Sequence, residues 1–423
     1  MTDRIGKQVR RDYVWNTASS VMAAASTLIM TLAVTRVSGV ALAGLFALGT
    51  KIGQQFQSLG MYEVRPYQAT DVRNRFSFGT YHSVRIYTVL FMLVCVVLYP
   101  VITNQPREDL VLIILVAALR LIDAFEDVFF GEFQRRDRLD LGGKAYFFRV
   151  FTTTLVFCLV LVLTEDVWTT TLVTLAVSVI SMVTMVIIPA SRHFDIRPLF
   201  AVRPGVQVLK ECLPLALAAF LAVYLSNAPT FAIGSYMDAD ALGFFAIIFM
   251  PAFAVNLLST LMFRPLLTRL AVVWVGRDRA GFARLVLLGV AGAVAGSVLV
   301  LLVTLLVGVP LLNVLSSVDI GPYKADMLVL VVGGSFNAIG VVLYYGLTTM
   351  RQQKAVFVGY VASALAVFFL STVLVQSHGV MGASLAYAGA MLILVAIFAA
   401  FLLYFLRRDR ALESGSIDDT ATN

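Results

Sequence analysis

Charge is scarce in this chain: Asp, Glu, Lys and Arg together make up 13% of its 423 residues, while 60% are hydrophobic. Ordinary soluble domains run near ~25% charged, so a water-soluble fold of this length is excluded. Histidine and cysteine are rarer still, with three of each. Cys95, Cys158 and Cys212 all fall within long apolar runs, which leaves neither a disulfide framework nor metal-ligand spacing; they read as small interior residues. His82, His193 and His378 are scattered over both sides of those runs and form no cluster. No GxxxxGKS/T loop is present, so direct use of ATP by that mechanism is excluded. The polar segments are too short to build an outward domain with an active site. An enzyme, a bound metal and a cofactor are therefore not expected.

What the chain has instead is apolar length. A bilayer core of about 30 Å needs roughly 20 predominantly apolar residues per helix, and the mean hydropathy of +0.89 reflects many such stretches. Spans are expected near residues 14–37, 41–62, 84–103, 108–131, 145–164, 167–189, 209–236, 240–264, 284–312, 325–350, 354–376 and 379–406. The segments between them alternate in sign. One side holds Arg4, Lys7, Arg10 and Arg11, then Arg65, Arg73, Arg75 and Arg85, then Arg135, Arg136, Arg138, Lys144 and Arg149, and continues in this way to Arg407, Arg408 and Arg410. The other side has only Arg36, Arg107 and Lys324, set against Glu108, Asp109, Glu165, Asp166, Asp238, Asp240, Asp319 and Asp326. The positive-inside rule then puts both termini in the cytoplasm, as an even number of spans requires. The net charge of +7 is accounted for by orientation and by attraction to anionic headgroups, and nucleic acid is not an expected partner. The N-terminal stretch MTDRIGKQVRRDYVW is too polar for a signal peptide, so the first span is expected to be retained.

The longest break near the middle carries Pro198 and Pro204. It divides the chain into an N-terminal six-helix lobe (1–195), a cytoplasmic linker (196–208), a C-terminal six-helix lobe (209–406) and a polar tail (407–423) expected to be disordered. The expected fold class is thus an all-α polytopic membrane protein of about twelve helices. Polar residues recur in matching spans of the two halves. Asn16, Ser19, Ser20, Ala23 and Thr27 share one face of the first helix, and Lys51, Gln54, Gln55 and Ser58 one face of the second. The seventh has Ser226, Asn227 and Thr230 beside Pro229, and the eighth has Asn256, Ser259 and Thr260 with Arg264 near its cytoplasmic end. Arg120 in the fourth and Asn337 in the tenth extend the correspondence. A six-span repeat preserves orientation, which relates the halves by an axis along the membrane normal and points to the cleft between them as the binding site.

Lys51 falls near the bilayer midplane, where insertion is unfavourable by about 2.5–3.5 kcal/mol. Snorkelling or a carboxylate partner is one account of it, and a water-filled cavity is the other, favoured by its amide-rich helix face. Arg120, Asp123 and Asp127 stand at i, i+3 and i+7 on the fourth helix. Arg120 and Asp123 can neutralise each other as a structural ion pair, or Asp123 can serve proton or cation coupling. Pro214, Pro229 and Pro251 can kink the seventh and eighth helices, and small residues around Gly292, Gly296, Gly382 and Ala386 permit close helix approach.

Residues 11–60 carry Asn16 early in the first helix, a TR-x-x-G turn (Thr35, Arg36, Gly39), Gly44 and the closing Leu59–Gly60 pair. In these features the chain resembles bacterial polysaccharide-export flippases of the multidrug/oligosaccharidyl-lipid/polysaccharide exporter superfamily. The likeness continues through residues 67–86, 119–150 and 211–237, so it covers most of the chain. It implies two six-helix lobes in a V around a central cavity lined by helices 1, 2, 7 and 8, the helices that the polar stripes select. It also implies a bacterial cytoplasmic-membrane protein that flips a polyprenyl-pyrophosphate-linked oligosaccharide repeat unit by alternating access, alongside glycosyltransferases or a polymerase of the same pathway. By this carry-over Lys51 meets the pyrophosphate, with Arg36 and Arg264 at the cavity's two ends. The first turn lacks the Pro or acid common in relatives, Ser235 replaces an acid, and twelve spans depart from the fourteen of the lipid II flippase branch. A cation-coupled multidrug exporter of the same superfamily, which would want cleft carboxylates, and a membrane polysaccharide polymerase or ligase, which would want a large outward loop, are the alternatives.

Overall fold

The computed structural model describes residues 2–71 and 73–421, and the side chains within those ranges except at 2–7, 9, 260–262, 264, 265, 268 and 409–421. Among the described residues the regular structure is entirely helical, without strands. The elements are α1 (Thr2–Ser38), α2 (Val40–Met61), the short α3 (Val64–Thr70), α4 (Phe78–Ile102), α5 (Arg107–Arg135) and α6 (Leu139–Thr164). They continue with α7 (Val167–Ser191), α8 (Val202–Tyr236), α9 (Ala239–Ile248), α10 (Met250–Val275), α11 (Arg279–Ser316), α12 (Lys324–Thr349) and α13 (Gln353–Ala421).

Eight of the described helices are long and apolar enough to cross a membrane, and α9 with α10, bent by 42° at their junction, form a ninth candidate. The long α13 is two helices merged at Gly379, whose φ of 58° no α-helix contains. α2 and α5, at 22 and 29 residues, have spanning length but carry the polar and charged side chains that lower their hydropathy. Counted this way, the described residues form the expected twelve-helix architecture. Several helices begin earlier than their apolar runs: α4 at Phe78, α6 at Leu139, α8 at Val202 and α11 at Arg279. Hydropathy marks only the bilayer-crossing part, whereas backbone hydrogen bonding carries the helix on through interfacial polar residues.

Local chemistry explains the irregularities. α7 and α11 each contain a π turn, at Val183–Ile187 and Thr304–Gly308, immediately before Pro189 and Pro310. The proline ring crowds the carbonyl four residues back, and widening the turn relieves it. Pro251 lies in the first turn of α10, at the 42° bend, whereas Pro214 and Pro229 lie inside the uninterrupted α8. Asp166 caps α7, accepting from the backbone N–H groups of Trp168 and Thr169 at 3.3 and 3.0 Å. Hydrogen bonds from Thr169 foremost hold its carboxyl below the usual range.

Packing divides the chain into two compact units, Met1–Ile247 with Leu315–Val318, and Ile248–Val314 with Asp319–Asn423. α8 and most of α9, beyond the 196–208 segment, therefore group with the N-terminal helices. In this first unit an aromatic core gathers Phe76, Phe78, Tyr81, Phe129, Phe133 and Phe194 where α4, α5 and the segment after α7 meet. Near the other end, α2 and α9 touch backbone to backbone. A Cβ on Gly44 would lie 2.1 Å from the Ala239 carbonyl oxygen, and one on Gly243 would lie 2.2 Å from that of Val40. Gly243→Val is thus expected to lower stability by more than the ~1–3 kcal/mol usual for overpacking, because backbone cannot rotate away; the apparent Tm of the purified variant checks it. In the second unit Gly382 backs onto the Leu374 carbonyl, while Gly296 has nothing within 4 Å and Gly292 only the edge of Phe263. Close approach therefore accounts for Gly382 and not for Gly292 or Gly296.

Candidate functional site

The polar face of α2 meets α8 inside the first unit. Gln55 is 3% exposed; its side-chain amide donates to the Phe220 carbonyl at 3.1 Å. Asn227, equally buried, donates to Gln55 Oε1 and to the Lys51 carbonyl, both at 3.4 Å. A pair of amides can satisfy one another across a helix contact and can equally bond water or sugar hydroxyls when the contact opens. Lys51, one turn from Gln55, is half-buried, and this stretch of α2 packs closely on α5 at Arg120. Gly53 makes this approach possible, since a Cβ there would strike the Arg120 side chain at 2.9 Å and the Ala117 carbonyl at 2.8 Å.

Arg120 donates to Asp123 of its own helix and to Thr27 Oγ1 of α1, each at 3.0 Å. Asp123 also receives Arg149 of α6, which pairs further with Glu126 at 2.7 Å and with Ser178 Oγ of α7 at 2.9 Å. These groups border a cavity of about 60 Å³ lined by, among others, Ser26, Thr27, Thr50, Arg120, Asp123 and Arg149, room for a few water molecules. Farther along α5, Asp127 belongs to a separate cluster. It accepts from Arg85 at 2.8 Å and Arg65 at 3.3 Å, while Arg85 also donates to the Gly60 carbonyl in the last turn of α2. Glu132, fully buried, takes Arg135 and Arg136 at 2.8 and 2.7 Å. Each buried acid on this helix is thus matched by arginine from a neighbouring helix or from its own next turn.

The structure therefore brings Lys51, Gln55, Asn227, Arg120 and Asp123 into one region of the first unit and leaves Asp127 in another. Gln54 is half-buried on α2, and the Asn16 carbonyl accepts from Ser19 and Ser20 of its own helix, a local contact that does not bring Asn16 into this region. Arg36 is exposed at the end of α1 and donates to Ser317 Oγ at 3.0 Å. In the second unit Asn256 accepts from Asn337 at 2.9 Å and donates to the Tyr387 hydroxyl at 3.3 Å. The side chain of Arg264 lies outside the described residues. Arg85 and Arg149 read as orientation charges in the sequence but are 0% and 3% exposed. The available signal was a surplus of carboxylates on α5 over the cations of that helix.

The helical arrangement defines the class first. The inward-facing structure of a multidrug resistance MATE family transporter of the MOP superfamily is similar at TM-score 0.69 and 12% identity, over 94% of this chain and 95% of that one. The lipid II flippase MurJ in its inward closed conformation is similar at TM-score 0.69 and 11% identity, over 92% and 87%. A MOP superfamily transporter from Pyrococcus furiosus, described as having a binding pocket of reverse polarity, gives TM-score 0.59 and 14% identity over 97% of each chain. The chain shares its helical fold with these transporters. Among curated proteins none matches in sequence. The profile of the family described as polysaccharide biosynthesis protein matches residues 42–263, more than half of the chain, and the chain belongs to that family.

Proposed function

We propose that this protein translocates an oligosaccharide repeat unit carried on polyprenyl pyrophosphate from the cytoplasmic to the outer leaflet. The observation that carries the reading is the half-buried Lys51 one turn from the buried amide pair Gln55–Asn227, within helices that otherwise cross an apolar medium. Charge-assisted bonds from the Lys51 ammonium group suit the oxygens of a pyrophosphate. The amides of Gln55 and Asn227 beside it suit sugar hydroxyls. Family membership supports polysaccharide synthesis as the setting, and the likeness to a lipid II flippase supports a lipid-linked cargo.

On this reading the protein is not an enzyme. It lies in the bacterial cytoplasmic membrane with both termini inside, and two six-helix lobes, 1–195 and 209–406, alternate access while the polyprenyl tail stays in lipid. Glycosyltransferases or a polymerase of the same pathway are its partners. Gln54, Asn16, Arg36, Asn256 and Arg264 complete the proposed cavity set. The Arg120–Asp123 pair serves as a lock, since Arg149 also holds Asp123. Deleting the gene is expected to abolish the surface polysaccharide and to accumulate lipid-linked repeat units on the cytoplasmic leaflet, both restored by the wild-type gene. Unchanged surface polysaccharide with no accumulated intermediate rejects the reading.

A further inference from the structure

The contact between α2 and α8 is built differently at its two ends. At one end it is continued by glycine-mediated backbone packing of α2 on α9 and by Leu48 against Gly234. In the middle it is the amide pair Gln55–Asn227. At the other end the helices are joined through the segment that follows α2. The Tyr67 hydroxyl of α3 donates to the Glu211 carboxylate of α8, and Arg75 pairs with the same carboxylate at 3.2 Å. Burial, then the bond to Glu211, pushes the Tyr67 hydroxyl up to about 12. Packed glycines lose contact outright when separated, whereas solvated charges exchange partners readily, so the polar end is the one that can release.

This polar end also has the composition of an anion site. A cleft of about 610 Å³ is lined by Tyr67, Thr70, Asp71, Arg73 and Arg75, with Arg73 and Arg75 exposed. The one acid among them does not compete for an anion's donors. Asp71 is engaged by the backbone N–H groups of Arg75 and Phe76 at 3.0 and 3.1 Å and by the Tyr81 hydroxyl at 2.9 Å, which fixes the loop that presents Arg75. The anion bound to Tyr67 and Arg75 in this structure is therefore supplied by the chain itself, from the opposite helix.

We infer that Tyr67, Arg73 and Arg75 form a phosphate-binding site held by Glu211 in the resting protein, and that a phosphate or pyrophosphate group displaces Glu211 and so releases α8 from α2. The inference rests on the proposed lipid-linked pyrophosphate cargo for its purpose, but not for its chemistry. Arriving cargo would unlatch the seam that covers Gln55, Asn227 and Lys51. A ligand shifts such an equilibrium only by its preference for the released state, and here that preference arises because only the released state frees the donors.

The test is the reactivity of Ser58→Cys in a chain carrying Cys95→Ala, Cys158→Ala and Cys212→Ala. Ser58 is 8% exposed, one turn beyond Gln55 towards the latch, and labelling needs no translocation. With a water-soluble methanethiosulfonate at matched ionic strength, Glu211→Gln is expected to raise the labelling rate roughly three- to tenfold, the range of a partly exposed charged hydrogen-bond pair. Inorganic pyrophosphate, or vesicles containing polyprenyl pyrophosphate, should raise the rate similarly in the chain with Glu211 and leave the Arg75→Ala chain unchanged. A response to the lipid alone assigns the site to the headgroup in its membrane, and a response to both assigns it to the phosphate chemistry; either supports the inference. Labelling indifferent to Glu211→Gln, or to both probes, overturns it. A chain that responds to pyrophosphate yet moves no lipid-linked sugar keeps this site and loses the proposed function; one that translocates with unresponsive labelling does the reverse.

Discussion

Replacing Lys51 with alanine abolishes export of the lipid-linked repeat unit, by at least roughly a hundredfold, while the protein remains in the membrane at wild-type abundance. The size follows from the setting. A charge-assisted contact to a pyrophosphate is worth about 1.5–3 kcal/mol even in solvated sites, and more where the surrounding helices exclude water. The substitution leaves the neighbouring helix contact of Gln55 with Asn227 in place, so the variant is expected to stay folded in the membrane. Lys51→Arg is expected to retain part of the activity, because a guanidinium still pairs with phosphate though with different reach. Export is read as surface polysaccharide, abundance by immunoblot of the membrane fraction, and stability by thermal melting in detergent. Wild-type export from the alanine variant leaves the site without its central cation.

Arg149→Met has the opposite signature, a loss of the fold rather than of the cargo. Arg149 is 3% exposed and joins α6 to both Asp123 and Glu126 of α5, and to Ser178 of α7. Without it two buried carboxylates lie close together, and the remaining ion pair to them among the described residues is that of Arg120 with Asp123. Breaking a buried pair in this way typically removes about 3–5 kcal/mol, enough to empty the membrane of folded protein. Adding Glu126→Gln removes one of the stranded charges and should recover a substantial part of the apparent Tm. The double variant melting no higher than Arg149→Met alone contradicts the account of this cluster as a structural lock.

The contrast between these residues shows what could be read from the sequence. Twelve helices were legible because apolar length is a local property, and the departures at Phe78, Leu139 and Val202 concern only helix ends outside the apolar stretches. The polar faces of α1 and α2 were legible from helical spacing, and the structure does bring Gln55 and Asn227, 172 residues apart, together. Which cation serves which acid was not legible. Arg85 and Arg149 look like interfacial charges because each stands at the edge of an apolar run. Only packing against α5 shows that Asp127 and Glu126 receive them. Asp127 was grouped with Arg120 by its position on one helix, but neighbouring helices supply its partners, and spacing along one chain segment carries no information about them. Tyr387, whose hydroxyl accepts from Asn256, gave no signal, since a tyrosine in an apolar run is common.

The central claim is tested most directly by purified protein in liposomes whose inner and outer leaflets can be distinguished by a sugar-modifying enzyme added outside. A fluorescent oligosaccharide on polyprenyl pyrophosphate should become fully accessible within minutes with the wild-type protein and remain about half protected with Lys51→Ala or with empty liposomes. A cationic dye loaded in parallel should not be moved faster than in empty liposomes. Equal accessibility with and without protein, or transport of the dye but not of the lipid-linked sugar, contradicts the account.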